Sequence, residues 1–140
     1  MKYETEHLLA ILKSKKTFSE YKSNKPTYID DHTLSGYLSS LLEKKQLKKA
    51  DVIRKSNLDR IYGYQILSGV KTPSRDKVLA LALGMELSLE ETQDVLRIAN
   101  YPQLYVKKLR DSAIIFSLHN RLSILEANEL LFNEGEPIIE

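Results

Sequence analysis

The stretch between residues 48 and 75 limits the folds open to this chain more than any other feature. It reads KKADVIRKSNLDRIYGYQILSGVKTPSR. Its apolar spacing predicts one short helix over residues 50–56 and a second helix that ends near Leu67. Asn57, between the two, tolerates the left-handed backbone that a tight turn demands. The stretch is therefore predicted to fold as two short helices that meet at a tight turn.

Residues that border the second helix support the same interpretation. Asp59 is well placed to cap its N-terminus, and Gly69 suits a left-handed cap at its C-terminus. Pro73 and Ser74 then open a further helix, since proline is tolerated in a first turn. A helix, a tight turn and a second helix in this order form a helix-turn-helix, which can place one helix in a groove of DNA.

Charge is distributed unevenly, although the net charge of the 140 residues is only +2. Residues 1–43 carry six Lys against six acidic residues and are neutral. Residues 44–77 carry ten Lys and Arg against three Asp, a net charge of +7, whereas residues 78–140 carry five basic against ten acidic residues, a net charge of −5. This asymmetry favours a polyanion as partner of the helix-turn-helix and protein contacts for the acidic C-terminal third.

The rest of the chain also has helical periodicity, and no strand alternation stands out. Residues 15–32 predict a connector with one helical turn around Phe18 and Tyr21. The other predicted helices span residues 3–14, 33–45, 74–84, 88–99, 111–118 and 123–132. Thr33 can cap one of them, Gly84 ends another, and capping-box spacings begin at Ser88 and Ser123. The fold class is therefore all-α, with seven or eight helices.

Several functional classes are excluded by what the sequence lacks. There is no cysteine, which removes disulfides, cysteine-ligated zinc and thiol catalysis. His7, His32 and His119 lie in separate segments without metal-ligand spacing, and the five glycines form no phosphate-binding loop. The tripeptide Asp30-Asp31-His32 predicts a capping or solvated turn. We therefore expect no enzyme, no metal and no cofactor.

The chain also carries no sign of a membrane or secretory protein. Its N-terminus is polar and mixed in charge, unlike a signal peptide. No apolar run approaches the roughly 18 residues that a membrane-spanning helix needs. We expect a cytoplasmic protein without membrane contacts.

Residues 47–69 resemble, without a gap, the phage-repressor and Cro-like (Xre) helix-turn-helix family of small bacterial regulators. Val52-Ile53 stands where that family packs a large and then a small apolar residue, and Asn57 takes its turn position. Pro73-Ser74 and the run over residues 79–88 are similar to the family's fourth helix and its link to the fifth.

This resemblance covers residues 34–98, under half of the chain. It implies an all-α fold with a five-helix lambda-repressor-like bundle, preceded by an N-terminal helix and followed by a C-terminal helical pair. We expect an N-terminal helix and connector over residues 1–32 and a DNA-binding domain over residues 33–99. A C-terminal helical extension over residues 100–140 would pack on that domain or dimerise.

Two residues depart from the family's pattern. Ile53 is bulkier than the usual Ala where the two helices cross, and Gly63 sits where the family buries Ile or Val. Tyr62 or Tyr64 could refill the space above Gly63. A bulky Ile53 facing Gly63 explains both departures together, and we favour this compensation.

The resemblance implies that the helix over residues 59–67 reads bases in the major groove of double-stranded DNA. The base-contacting positions of the family correspond to Arg60, Ile61, Tyr64 and Gln65. Arginine can bind guanine O6 and N7, glutamine can bind adenine N6 and N7, and an apolar side chain can contact the thymine methyl.

Phosphate contacts are expected on both sides of this helix. Lys48 and Lys49 begin the preceding helix, at a position that commonly grips phosphate in the family. Lys71, Ser74 and Arg75 lie in the following loop and at the next helix N-terminus, where backbone N–H groups favour phosphate. The implied function is that of a sequence-specific transcriptional regulator that acts as a repressor.

Two alternatives stay open. The fold could instead serve as a protein-interaction module, antitoxin-like or adaptor-like, that does not bind DNA, because the predicted recognition helix is rich in tyrosine. The two C-terminal helices could pair two copies into a homodimer, or could enlarge the core of the monomer.

Overall fold

The protein is described by a computed structural model that covers residues 5–25 and 33–140. Across these two stretches all regular secondary structure is α-helical, in nine helices and without a strand. The prediction of an all-α fold class is confirmed. The chain divides into two compact units, one up to residue 31 and one from residue 32 onward.

The first unit contains two helices, α1 (Thr5–Ser14) and α2 (Phe18–Ser23). The hydroxyl of Thr17 accepts a hydrogen bond from the Glu20 backbone N–H and caps α2. Tyr21 is buried, and its ring centroid lies 6.1 Å from that of Phe18. The predicted single turn around these two aromatic residues is therefore a short helix. The predicted turn at residues 30–32 lies outside the described residues.

The second unit is built around one buried helix. Its elements are α3 (Leu34–Lys44), α4 (Lys49–Lys55), α5 (Arg60–Leu67), α6 (Arg75–Gly84), α7 (Leu89–Ile98), α8 (Leu109–His119) and α9 (Ile124–Asn133). Every residue of α6 from Val78 to Gly84 is buried. This helix packs against α4, α7, α8 and α9, so it forms the centre of the core.

The helix starts follow the capping residues that the sequence predicts. In the second unit, five N-cap side chains accept a hydrogen bond from the backbone N–H three residues later, namely those of Thr33, Asp59, Ser74, Ser88 and Ser123. Both predicted capping boxes are present, because the Glu91 and Glu126 carboxylates accept hydrogen bonds from the backbone N–H groups of Ser88 and Ser123. The hydrogen bonds from Ser123 hold the pKa of the Glu126 carboxyl below its usual value.

A second set of polar contacts joins α3 to α7. The Lys45 ammonium lies 3.0 Å from Glu91 Oε1. Burial raises the pKa of Glu91, but the hydrogen bonds from Ser88 and the charge of Lys45 outweigh burial and lower it. On the same interface, burial and the neighbouring Asp94 and Glu91 carboxylates raise the pKa of Tyr37.

Ile53 and Gly63 meet where α4 crosses α5. A Cβ atom added to Gly63 would lie 2.7 Å from Ile53 Cγ2 and 2.8 Å from Ile53 Cγ1. Both residues are buried, whereas Tyr64 is partly exposed. The predicted exchange of a large for a small residue is confirmed, since Ile53 occupies the volume that a side chain at position 63 would need.

This contact predicts that Gly63→Ala changes the free energy of unfolding in opposite directions with and without the Ile53 side chain. Gly63→Ala should lower the free energy of unfolding by about 1–2 kcal/mol, because overpacking against a β-branched side chain outweighs the better helix propensity of alanine. In an Ile53→Ala background the same change should instead stabilise by about 0.5–1 kcal/mol. Urea unfolding of the four proteins measures both values, and a stabilising effect in the original background would contradict the packing.

Gly84 has a role in packing besides the one that the sequence predicts. The sequence presents it as the residue that ends α6, and α6 does end there. The residue with a left-handed backbone after α6 is Glu86, which has φ 53°. Gly84 is also a point of close approach between α6 and the C-terminal end of α4. A Cβ there would lie within 3.0 Å of the Ser56 backbone nitrogen and of the Val52 carbonyl oxygen.

The C-terminal helices are part of the same core. Ile114 and Leu118 of α8 and Ala127 and Leu131 of α9 are buried in it. The chain after α9 returns to this unit, where the Asn128 amide exchanges two hydrogen bonds with the Ile139 backbone. These helices therefore enlarge the core. None of the helices in the described part of the chain is both long and apolar enough to cross a bilayer.

Candidate nucleic-acid interface

The turn between α4 and α5 is short and tightly held. Asn57 has φ 54°, the left-handed conformation that the sequence predicts, and Leu58 is buried beneath it. The Asp59 carboxylate accepts a hydrogen bond from the Tyr62 backbone N–H at 3.1 Å and so caps α5. Because the Asp59 carboxylate binds the N-terminus of α5, the outer face of α5 is formed by other side chains.

Helix α5 has a buried and an exposed face. Gly63, Ile66 and Leu67 point into the core. Arg60 and Ile61 are exposed, Ile61 by 71%, and Tyr64 is 37% exposed. Gln65 is half-buried. The four predicted base-contacting residues therefore remain accessible on the outer side of α5.

Five of the predicted DNA contacts share one open depression of the surface. It is lined by Lys49, Arg60, Ile61, Tyr64, Gln65 and Ser68. Lys49 comes from the start of α4 and the other residues from α5 and its C-cap, so the crossing of the two helices brings them together. The depression combines a guanidinium, an amide and an apolar side chain beside an ammonium group.

Sequence reasoning missed two residues here, one that lines this depression and one that lines its neighbour. Ser68 lies one helical turn beyond Tyr64 on the same face, a spacing that could have identified it. Arg54 lines a neighbouring depression together with Arg60 and Tyr64. It also pairs with Asp51, one turn earlier, at 3.3 Å. Both side chains are exposed, so this ion pair leaves the arginine accessible.

The predicted phosphate-contacting residues do not all occupy the same place. Lys48 is exposed directly before α4. Lys71 is exposed and lines a separate depression with Thr33, Ser35 and Asn100. The hydroxyl of Ser74 accepts a hydrogen bond from the Lys77 N–H at 3.2 Å, so it serves as the cap of α6.

The sequence predicts that Arg75 contacts phosphate, but in the structure its guanidinium binds other residues of the same chain. Its Nη2 atom lies 3.3 Å from Asp111 Oδ2, and its Nε donates to the Pro102 carbonyl at 2.9 Å. Asp111 is almost completely buried, so its charge requires a partner. The Arg75 guanidinium therefore pairs with the first turn of α8. No pattern in the sequence indicates that Asp111, 36 positions away, is the partner of this arginine.

Several basic side chains of this segment are exposed, and two of them, Lys49 and Arg60, line the depression. The exposed cations of α4, α5 and the following loop are Lys48, Lys49, Arg54, Lys55, Arg60 and Lys71. Within residues 5–25 and 33–140 no group of His, Asp or Glu is arranged to hold a metal ion. The exposed ammonium and guanidinium groups of this surface favour non-covalent contacts with anions. Comparison of the chain with protein-family models, with curated proteins and with solved structures finds no match.

Proposed function

We propose that this chain is a sequence-specific DNA-binding transcriptional regulator that acts as a repressor. The observation that carries the proposal is the shared depression of Lys49, Arg60, Ile61, Tyr64 and Gln65, at the outer face of a helix-turn-helix. One side chain suited to phosphate and several suited to base edges converge there. Residues with these two roles must lie together for a helix to be positioned in a groove and to read it.

Helices α3 to α7 form the proposed lambda-repressor-like domain. Its support is the pattern of packing, in which α4 lies against both α5 and α6 and α3 lies against both α5 and α7. The pair α4 and α5 thereby presents its outer face to solvent. Helix α5 enters the major groove, where Arg60 reads guanine, Gln65 reads adenine and Ile61 contacts a thymine methyl.

A protein-interaction module is the second candidate function. Ile61 and Val70 are about two-thirds exposed or more, and Tyr64 is also exposed, so this short segment presents apolar surface to solvent. On this alternative the outer face of α5 docks an apolar protein surface. The basic residues around it then contribute to steering the partner.

Salt dependence of DNA binding separates these candidates. Binding to mixed duplex fragments should weaken steeply with salt, with a log–log slope of about −0.9 per phosphate contacted. Lys48→Gln with Lys49→Gln should make this slope shallower by about 1.8. The matched control is Lys107→Gln with Lys108→Gln, an exposed lysine pair directly before α8 that changes charge equally. Lack of DNA retention at low salt would exclude the proposal and favour the protein-interaction module.

Selection of bound sequences from a random DNA library then identifies the operator. A regulator of this class should enrich a defined site, whereas purely electrostatic binding enriches none. An inverted repeat with half-sites about one helical turn apart would show that two copies bind together. A single short site would show that one copy suffices.

A further inference from the structure

Two crossed ion pairs join the start of α6 to the start of α8. Arg75 and Asp76 are the first two residues of α6, and Arg110 and Asp111 are the second and third residues of α8. Arg75 binds Asp111, and Arg110 binds Asp76 through two hydrogen bonds of 3.1 and 2.9 Å. Each helix start therefore supplies one cation and one anion to the other.

Both pairs also hold segments without regular structure. The Arg110 guanidinium donates to the carbonyl oxygens of Pro137 at 2.9 Å and Ile138 at 3.1 Å. On the other side, the Asp111 carboxylate accepts the Tyr105 backbone N–H at 2.9 Å. The ion pairs are thus the centre of a network that gathers residues 102–105 and 137–138 around the start of α6.

The loop before α6 is held by the same part of the chain. The hydroxyl of Tyr101 donates a hydrogen bond to the Pro73 carbonyl oxygen. Residues 71–74 therefore run between α5, which carries the proposed base contacts, and a helix start that is clamped to the C-terminal extension. In the proposed function this loop contributes Lys71 and the N–H groups around Ser74 to phosphate binding.

We infer that Arg110 and Asp111 are positioning residues for the phosphate-contacting loop over residues 71–74. They touch no DNA themselves. Through Asp76 and Arg75 they set the direction in which the start of α6 presents its backbone N–H groups. The affinity for DNA consequently depends on the C-terminal extension. This inference rests on the proposed function.

The Asp76→Asn variant tests the inference by whether its affinity for DNA rises or falls. Removal of an acidic side chain from a DNA-binding domain normally strengthens binding, because repulsion from phosphate falls. If Asp76 acts through Arg110, the change should weaken binding to mixed duplex DNA by about tenfold, within the usual range of coupling between sites. The log–log salt slope should also become shallower by about 0.9, the loss of one phosphate contact.

Glu90→Gln is the matched control. Glu90 lies in the first turn of α7, as Asp76 lies in the first turn of α6, so both changes remove one charge and one favourable interaction with a helix N-terminus. Glu90 is exposed, whereas Asp76 is half-buried against Arg110. The control variant should bind DNA as tightly as the original chain or more tightly. Thermal unfolding of both variants checks that the affinities are measured on folded protein.

Arg110→Gln provides the second measurement. It should weaken DNA binding on its own, and it should add little in the Asp76→Asn background, because the two residues act through one contact. DNA binding by the original chain with no loss in Asp76→Asn relative to Glu90→Gln would overturn the inference and leave the proposed function intact. Failure of the original chain to bind DNA would overturn both.

Discussion

Replacement of Arg60 and Gln65 together with alanine is expected to lower affinity for the selected operator by about 30-fold or more. Both side chains line the same depression on the outer face of α5. A good side-chain contact to a base edge contributes about 1–3 kcal/mol of discrimination, so two lost contacts amount to about 2–6 kcal/mol. Fluorescence anisotropy with the selected operator and with random duplex DNA measures this loss.

Specificity and general affinity should separate in this experiment. Affinity for random DNA should fall only a few fold, since it depends mainly on phosphate contacts. Arg60→Lys is the matched control for charge, because lysine keeps the positive charge but lacks the planar fork that binds guanine. It should lose preference for the operator and retain binding to random DNA. Unchanged operator affinity in the double variant would exclude α5 as the recognition helix.

Gly84→Ala is expected to destabilise the protein by about 3 kcal/mol or more. A Cβ at this position would meet the Ser56 hydroxyl, and it would also lie 2.9 Å from the Ser56 backbone nitrogen and 3.0 Å from the Val52 carbonyl oxygen. A side chain can rotate away, whereas backbone atoms require α4 and α6 to separate. Since the free energy of unfolding of a domain is about 5–15 kcal/mol, such a loss is a large part of the total.

The Ser56 side chain allows this explanation to be checked. In a Ser56→Ala background, Gly84→Ala should still be strongly destabilising, because both backbone contacts remain. Gly135→Ala is the comparison for a glycine with open space, where the cost should be limited to its left-handed backbone of φ 72°. Urea unfolding measures all three changes. A Gly84→Ala protein as stable as the original would show that α4 and α6 do not approach as closely as described.

Local structure was largely predictable from the sequence. The caps at Thr33 and Asp59, the capping box of Ser88 and the left-handed turn at Asn57 all occur as predicted. These signals are reliable because each depends on a side chain and a backbone group only a few residues away. The compensation of Gly63 by Ile53 was also predictable, since the spacing within a helix-turn-helix determines which positions face each other.

Part of the candidate site was predictable for the same reason. Arg60, Ile61, Tyr64 and Gln65 lie on one face of α5 because positions three and four apart share a side of a helix. The sequence therefore identified the outward face once the helix and its buried residues were recognised. Whether this face binds DNA stays a prediction, which the salt titration and the selection experiment address.

Tertiary structure alone decided how distant residues are used. Arg75 and Asp111 are 36 positions apart. Because they form an ion pair, a residue predicted to bind phosphate instead joins the start of α6 to the start of α8. The role of Gly84 likewise depends on the approach of another helix. Periodicity and capping rules describe a residue's neighbours along the chain. They contain no information on which buried acid a cation will meet or which helix will press against a glycine, because these contacts arise only when the helices pack.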